Sequence, residues 1–289
     1  MTDKENREGK TTENTEQRCT HDCSSCSASC ASRTKQNLAA PMNRASNVKK
    51  VIAVASGKGG VGKSLVTSLL AVEMSRRGHK VAVLDADITG PSIPRIFGVK
   101  GDVTGCDDGI FPLKSGGGVL VMSVNLLLDK ETTPVAWRGP IIANTVRQFW
   151  SDVVWGEVDY MFVDMPPGTG DVPLTVFQSL PVDGAIIVTS PQELVGMIVA
   201  KAKNMAQMMG VPVLGVVENY SWLACPDCGK KIAVFGEYVS DEALQSTLGD
   251  LPLLARIPLD PQLAALCDKG QLETTDAEYV KDLADMLEA

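Results

Sequence analysis

These 289 residues contain no run of about 18 consecutive apolar residues, the least that spans a bilayer as a helix, so a membrane-spanning protein is not expected. The opening stretch, Met1-Thr2-Asp3-Lys4-Glu5-Asn6-Arg7-Glu8, has no apolar core of the kind a secretory signal needs, and a cytoplasmic protein is the expectation. Positive charge is short as well: 27 Lys and Arg face 35 Asp and Glu, giving a net charge of -8. Phosphate backbones are held by clusters of Lys and Arg, so nucleic acid is excluded as an expected partner. No internal repeat is found. Large apolar side chains are almost missing from residues 1–47, which are rich in Thr, Ser, Asn, Lys and Glu. Such a segment cannot repay the entropy of ordering and is expected to be a disordered arm unless metal organises it.

What is present is an ordinary globular composition, 44% hydrophobic and 21% charged, over a length that suits one large α/β domain or two small ones. Short, continuously apolar runs lie at Val51–Ala55, Val81–Leu84, Tyr160–Val163, Ala185–Val188, Val213–Val217 and Leu253–Ile257. Helix-length segments separate them, at Lys63–Arg77, Pro140–Val154, Glu193–Met209, Asp260–Cys267 and Ala277–Leu287. Strands apolar on both faces and alternating with helices predict an α/β domain over 48–289 with a mostly parallel, doubly wound sheet in three layers. The Gly-rich stretch Ser115–Gly118 reads as a turn.

The first strand runs into Gly57-Lys58-Gly59-Gly60-Val61-Gly62-Lys63-Ser64, which fits the P-loop pattern between a strand and a helix. Glycines let backbone N–H groups curl around phosphates, the helix N-terminus adds positive potential, Lys63 reaches the β- and γ-phosphates, and the Ser64 hydroxyl can ligate Mg²⁺. A Gly-rich turn with no ligand is the bland alternative. The second strand ends in Asp85-Ala86-Asp87 and the third in Val163-Asp164-Met165-Pro166-Pro167-Gly168-Thr169-Gly170-Asp171. Both place carboxylates at the carboxyl edge of the sheet, where open α/β folds bind ligands. Asp164 is in the Walker B arrangement; Asp85 and Asp164 are the candidate carboxylates at Mg²⁺. Asp at a strand end is also a common turn starter, and Asp171 fits an N-cap slightly better than a metal contact. Asn219 follows the fifth strand and is either a base contact or a turn residue.

Six of the eight cysteines fall into two clusters with metal-ligand spacing, which in a reducing compartment favours metal over disulfides. Cys225-Pro226-Asp227-Cys228 offers two thiolates, and iron or zinc sites want more than two. It reads as half a zinc ribbon or half a cluster site; a redox motif is disfavoured because no helix starts there. The arm carries Cys19, Cys23, Cys26 and Cys30 with His21 among them, a set that favours metal binding and fits zinc and a four-iron cluster equally. Cys106 and Cys267 are single and expected to be structural; His79 is expected at a helix end on the surface.

The loop with its extra Lys58 resembles the deviant Walker A of the MinD/ParA/Mrp class, and residues 49–285 as a whole resemble the Mrp/ApbC family of iron–sulfur cluster carrier ATPases. Asp85–Ser92 resembles that family's first switch, Val163–Asp171 its second, the Cys-x-x-Cys its cluster motif, and Trp137-Arg138-Gly139-Pro140 a family stretch without a derived role. The resemblance implies that Lys58 reaches the nucleotide of a facing subunit in a homodimer, that Asp87 positions the attacking water, and that Asn219 holds adenine. It also implies that Cys225 and Cys228 of two subunits hold one [4Fe-4S] cluster delivered to apo iron–sulfur proteins. ATP and Mg²⁺ are the implied cofactors. The arm's cysteine spacing is tighter than that of eukaryotic cytosolic relatives. Two other classes stand beside this reading, a MinD/ParA-like positioning ATPase and a zinc-stapled nucleotide-binding scaffold. The acidic end, Asp276–Ala289, argues against the membrane tail or DNA surface the former needs.

Overall fold

Strands apolar on both faces need cover on both, and the chain supplies it by sending successive helices to opposite sides of one sheet. The computed structural model describes residues 39–88, 90–128, 139–191, 195–236, 239–276 and 278–289, which belong to a unit spanning Leu38–Ala289. The arm's cysteines and Trp137-Arg138 lie outside the described residues. In chain order the elements are β1 (Ser46–Ala55), α1 (Lys63–Arg76), β2 (Val81–Asp85), α2 (Ile93–Ile96), β3 (Gly105–Cys106), β4 (Gly109–Ile110), β5 (Leu113–Lys114), β6 (Leu120–Met122), α3 (Gly139–Ser151) and β7 (Gly156–Asp164). There follow α4 (Asp171–Ser179), β8 (Gly184–Thr189), α5 (Val195–Met208), β9 (Val213–Asn219), β10 (Leu223–Ala224), β11 (Lys231–Ile232), α6 (Asp241–Leu248), β12 (Leu253–Ile257), α7 (Pro261–Lys269) and α8 (Lys281–Glu288).

The main sheet runs β12-β9-β8-β1-β7-β2-β6-β5. Every pairing in it is parallel except β5 with β6, the hairpin closed by the glycine turn after Lys114. β1 shows the double winding residue by residue. Ile52 and Val54 pack with Leu69, Leu70 and Met74 of α1 and Leu283 and Leu287 of α8. Val51, Ala53 and Ala55 face the other way, toward Val146, Phe149 and Trp150 of α3 and Val176 and Phe177 of α4. The period of two in a strand turns one apolar run into two cores. A third cluster joins α5 and α6 to β8 and β9 through Ile187, Val199, Val216, Leu244 and Leu248.

Described residues before the expected boundary at 48 are joined to the domain. Ala40 N–H donates to Ser179 O at 2.8 Å, Trp150 Nε1 donates to Ala40 O at 3.1 Å, and Asn43 Nδ2 donates to Asp108 O at 2.8 Å. Ala40 is buried in the core cluster and Met42 packs against it, so this short stretch is held by apolar contact as well as by these bonds. α4 begins at Asp171 with Gly170 in the N-cap position, so Asp171 is not the cap that its sequence context suggested. The ends of β1, β2, β7 and β9 converge on the P-loop, and that edge carries the site.

Candidate functional site

Residues 56–62 connect β1 to α1, and Gly62 closes the turn with φ 76°, a left-handed conformation that suits glycine. A Cβ there would overlap Asn219 Nδ2 and come within 2.8 Å of the Tyr220 hydroxyl oxygen, so the loop is pressed against the end of β9. α1 has no side-chain cap and no acidic residue in its first turn, leaving its positive end to whatever the loop holds. Behind the loop, Asn219 Nδ2 donates to Val61 O at 2.9 Å. Asn219 Oδ1 is buried with no partner, as is Ser56 Oγ at the start of the turn. Buried polar atoms without partners cost free energy, and at the edge of a phosphate loop a ligand is one way to satisfy them. Tyr220 is the one non-glycine with positive φ among the described residues, at 60°.

Lys63 is buried and its Nζ lies 2.7 Å from Asp164 Oδ1 and 3.7 Å from Asp87 Oδ2. Ser64 Oγ donates to Asp164 Oδ2 at 2.6 Å. Thr67 Oγ1, one turn on, lies 3.0 Å from both Asp164 Oδ1 and Lys63 O, and its single proton serves one at a time. Asp85 and Asp164 are register neighbours across β2 and β7, both completely buried. Asp85 receives Ser123 Oγ at 3.0 Å and the backbone N–H of Asp87 at 3.2 Å. Burial first, and then the negative charge of Asp164, push the Asp85 carboxyl up to about 8, against the opposing pull of Lys63. Two buried carboxylates and a hydroxyl beside one lysine are hard oxygen donors, a set that fits a divalent cation such as Mg²⁺, whose charge would favour the ionised form of Asp85. Lys58 is half-buried within the loop.

Cys225 and Cys228 stand on a different kind of scaffold, the ribbon of β10 and β11 in which Leu223 faces Ile232 and Ala224 faces Lys231. Cys225 N–H donates to Lys230 O at 2.9 Å and Gly229 N–H to Cys225 O at 2.8 Å, closing a tight knuckle. Backbone N–H groups of Asp227 and then Cys228 point at the Cys225 sulfur and hold its thiol below the ordinary value. That favours the thiolate, which is the form that ligates metal. Cys228 is exposed and Cys225 partly so. Among the described residues no three His, Cys, Asp or Glu side chains gather into a metal site. Cys267, half-buried on α7, has its thiol pushed up to about 11 by burial, as a structural cysteine would. Cys106 is exposed on β3 rather than packed in the core.

The ParA family model for the NUBPL iron-transfer P-loop NTPase matches residues 47–289. The chain belongs to this family of iron-transfer P-loop NTPases. Among its relatives, an iron-sulfur cluster carrier protein of Clostridium perfringens is 45% identical, over 82% of this chain and 84% of that protein. One from Methanocaldococcus jannaschii is 48% identical over 78% of each. A solved nucleotide-binding protein from Archaeoglobus fulgidus, in complex with ADP and with cobalt found, is 43% identical with a TM-score of 0.72, covering 81% of this chain and 91% of that one. The MinD cell division ATPase of Pyrococcus furiosus, at 22% identity and a TM-score of 0.59, shares the fold.

In this NUBPL-type NTPase the structure brings Lys63, Ser64, Asp85, Asp87 and Asp164 together and sets Asn219 against the loop, all from motifs read in the sequence. Sequence reasoning missed Thr67, Ser123 and Tyr220. Thr67 was open to inference, being one helical turn after Lys63 on the same face. Ser123 reaches Asp85 from beyond β6, 38 positions away, and no local pattern announces it. His79 lies past the end of α1, partly exposed, with Nε2 2.5 Å from Glu288 Oε1. Among the described residues no helix is long and apolar enough to cross a membrane.

Proposed function

We propose that this chain is an ATP-dependent iron–sulfur cluster carrier, in which two copies hold one [4Fe-4S] cluster through Cys225 and Cys228 and pass it to apo iron–sulfur proteins in the cytoplasm. The observation that carries the reading is the pairing of an assembled P-loop site with a knuckle offering two ready thiol ligands and no third among the described residues. Such a cluster takes four thiolates, and a two-fold interface presents the same pair twice. The relatives are named as cluster carriers, and one 40% identical protein from Culex quinquefasciatus is named a cytosolic Fe-S cluster assembly factor.

ATP sits with its phosphates in the turn 57–64, Lys63 between them and Asp164, Asn219 Oδ1 turned to the base, and Asp87 orienting the attacking water. Ser64, Asp85 and Asp164 would hold Mg²⁺, which neutralises charge on the phosphates. Lys58 reaches the nucleotide of the facing copy, so hydrolysis waits for dimer assembly and is slow. The arm's Cys19, Cys23, Cys26 and Cys30 form a separate metal site. A membrane-positioning role is disfavoured, because Leu283, Ala284 and Leu287 of α8 are already buried against the core and only Met286 of its apolar residues is exposed.

The test is anaerobic reconstitution with iron and sulfide of the full chain carrying Ser at all four arm cysteines. About two irons per chain on a dimer, lost in Cys225→Ser or Cys228→Ser, is the expected result. A cluster on monomers, or zinc retained in preference to iron, sinks the reading.

A further inference from the structure

Five residues, 220–224, separate Asn219 from Cys225, and the chain has no slack across them. Tyr220 sits in the left-handed conformation at φ 60°. Ser221 N–H donates to Ile257 O at 2.9 Å and Ser221 Oγ to Glu218 O at 2.8 Å. Leu259 N–H donates to Trp222 O at 2.7 Å. A displacement of Asn219 is therefore carried along the backbone to Trp222 rather than absorbed in a loop. The Trp222 ring is shared by two cations from different elements. Lys231 Nζ, on β11 of the cysteine hairpin, lies 4.0 Å from the ring centroid, and the Arg256 guanidinium carbon, on β12 of the main sheet, lies 5.9 Å away.

Arg256 is a fixed anchor. Its side chain is 7% exposed; Nη2 lies 2.7 Å from Glu218 Oε2, and Nη1 lies 2.7 Å from Asp241 Oδ1 and 2.9 Å from Val239 O. Glu218 is in turn the neighbour of Asn219 at the end of β9. Between the sheet and the hairpin, then, stands one indole, gripped from the sheet side by a rigid guanidinium and from the hairpin side by an exposed lysine. Outside that grip the hairpin is a ribbon of two-residue strands, too small to be stable by itself. We propose that Trp222 is a positioning residue that couples nucleotide at Asn219 to metal at Cys225 and Cys228, by fixing the hairpin to the sheet through Lys231 and Arg256. The inference rests on the carrier reading for the roles of Asn219 and the two cysteines. Coupling between sites is reciprocal, so nucleotide must change metal affinity by the same factor as metal changes nucleotide affinity.

The experiment uses the full chain with Ser at the four arm cysteines, titrated with Co²⁺ followed by its thiolate absorbance, in the presence and absence of saturating ADP. The unaltered hairpin gives a ratio of Co²⁺ affinities of about fivefold or more, the lower end of ordinary site-to-site coupling. Trp222→Leu brings the ratio close to one while Co²⁺ and ADP still bind separately, a pattern that a merely structural role would not produce. Lys231→Met, on an exposed strand, cuts the ratio at least by half and serves if the Trp222→Leu chain does not fold. A ratio near one with Trp222 and Lys231 in place, or a ratio unchanged in either variant, overturns the proposal. Failure of the carrier reading is seen separately, as no cluster assembling on the chain with iron and sulfide although ADP and Co²⁺ remain coupled.

Discussion

Lys63 at the start of α1 and Asp85 and Asp164 at the ends of two adjoining strands lie at 5%, 0% and 0% exposure, whereas Cys225 and Cys228 project from a two-stranded ribbon with one of them at the surface. The loop site is assembled from within: each charged group already has partners, and the sheet that holds them is the core of the protein. The hairpin holds its cysteines by backbone N–H groups around one sulfur, and it offers two thiols with no third ligand beside them among the described residues. A site embedded in the core cannot be disturbed without disturbing the fold. A site on a ribbon can gain or lose its cargo at little cost to the fold, as a carrier requires.

The comparison breaks hardest at Lys63. Lys63→Ala removes the partner of a completely buried carboxylate, so the nucleotide-free protein loses about 3–5 kcal/mol, read as a fall in urea midpoint. ATP turnover falls by roughly a thousandfold or more, the scale on which one phosphate-stabilising cation acts. A midpoint that does not move would mean that the loop site is not part of the fold's support. Asp87→Asn separates binding from hydrolysis: nucleotide affinity stays, and turnover drops about a hundredfold or more by analogy with loss of a positioned acid–base group. Unchanged turnover removes Asp87 from the reaction. Thr67→Ala, which deletes one hydroxyl beside Asp164, costs about 1 kcal/mol in the same urea assay and sharpens how finely the loop site is tuned. Cys225→Ser gives the smallest effect on stability, within about 0.5 kcal/mol, although it abolishes iron uptake by a chain whose four arm cysteines are Ser. A large loss of stability there would place the hairpin inside the fold's cooperative unit.

The fold was legible where one apolar run had to fill both faces. The run at Leu253–Ile257 coincides with β12, and Val51–Ala55 forms the fully buried half of β1. Its polar first half, Ser46–Lys50, was missed because it pairs with β7 beyond the covered part of the sheet. The short elements were missed for other reasons. α4 carries Pro173 in its first turn, which breaks the helical reading, and α2 has four residues. α6 has only Leu244 and Leu248 buried, too few for a stripe, although Ser240 capping the Ala243 N–H was a usable signal. At the site, motif residues were legible because phosphate chemistry fixes their spacing, and the order of β2 and β7 in the sheet then brings Asp85 to Asp164. Ser123, Tyr220, Trp222 and Arg256 were not, since their value comes from what the folded sheet places beside them.

The position of β1 also sets a timetable. Among the described strands it is the first to be synthesised, yet it lies between β7 and β8, with partners that come much later in the chain. Lys63 and Asp164 are 101 positions apart, so at roughly 5–20 residues per second about 5–20 s of synthesis separate the lysine from its carboxylate. Throughout that interval the phosphate loop exists only as sequence, without the sheet edge that shapes it. A ribosome-bound chain stopped before β7 is expected to leave ATP untouched, and the cysteine hairpin is made later still, after β9 has been added beside β8.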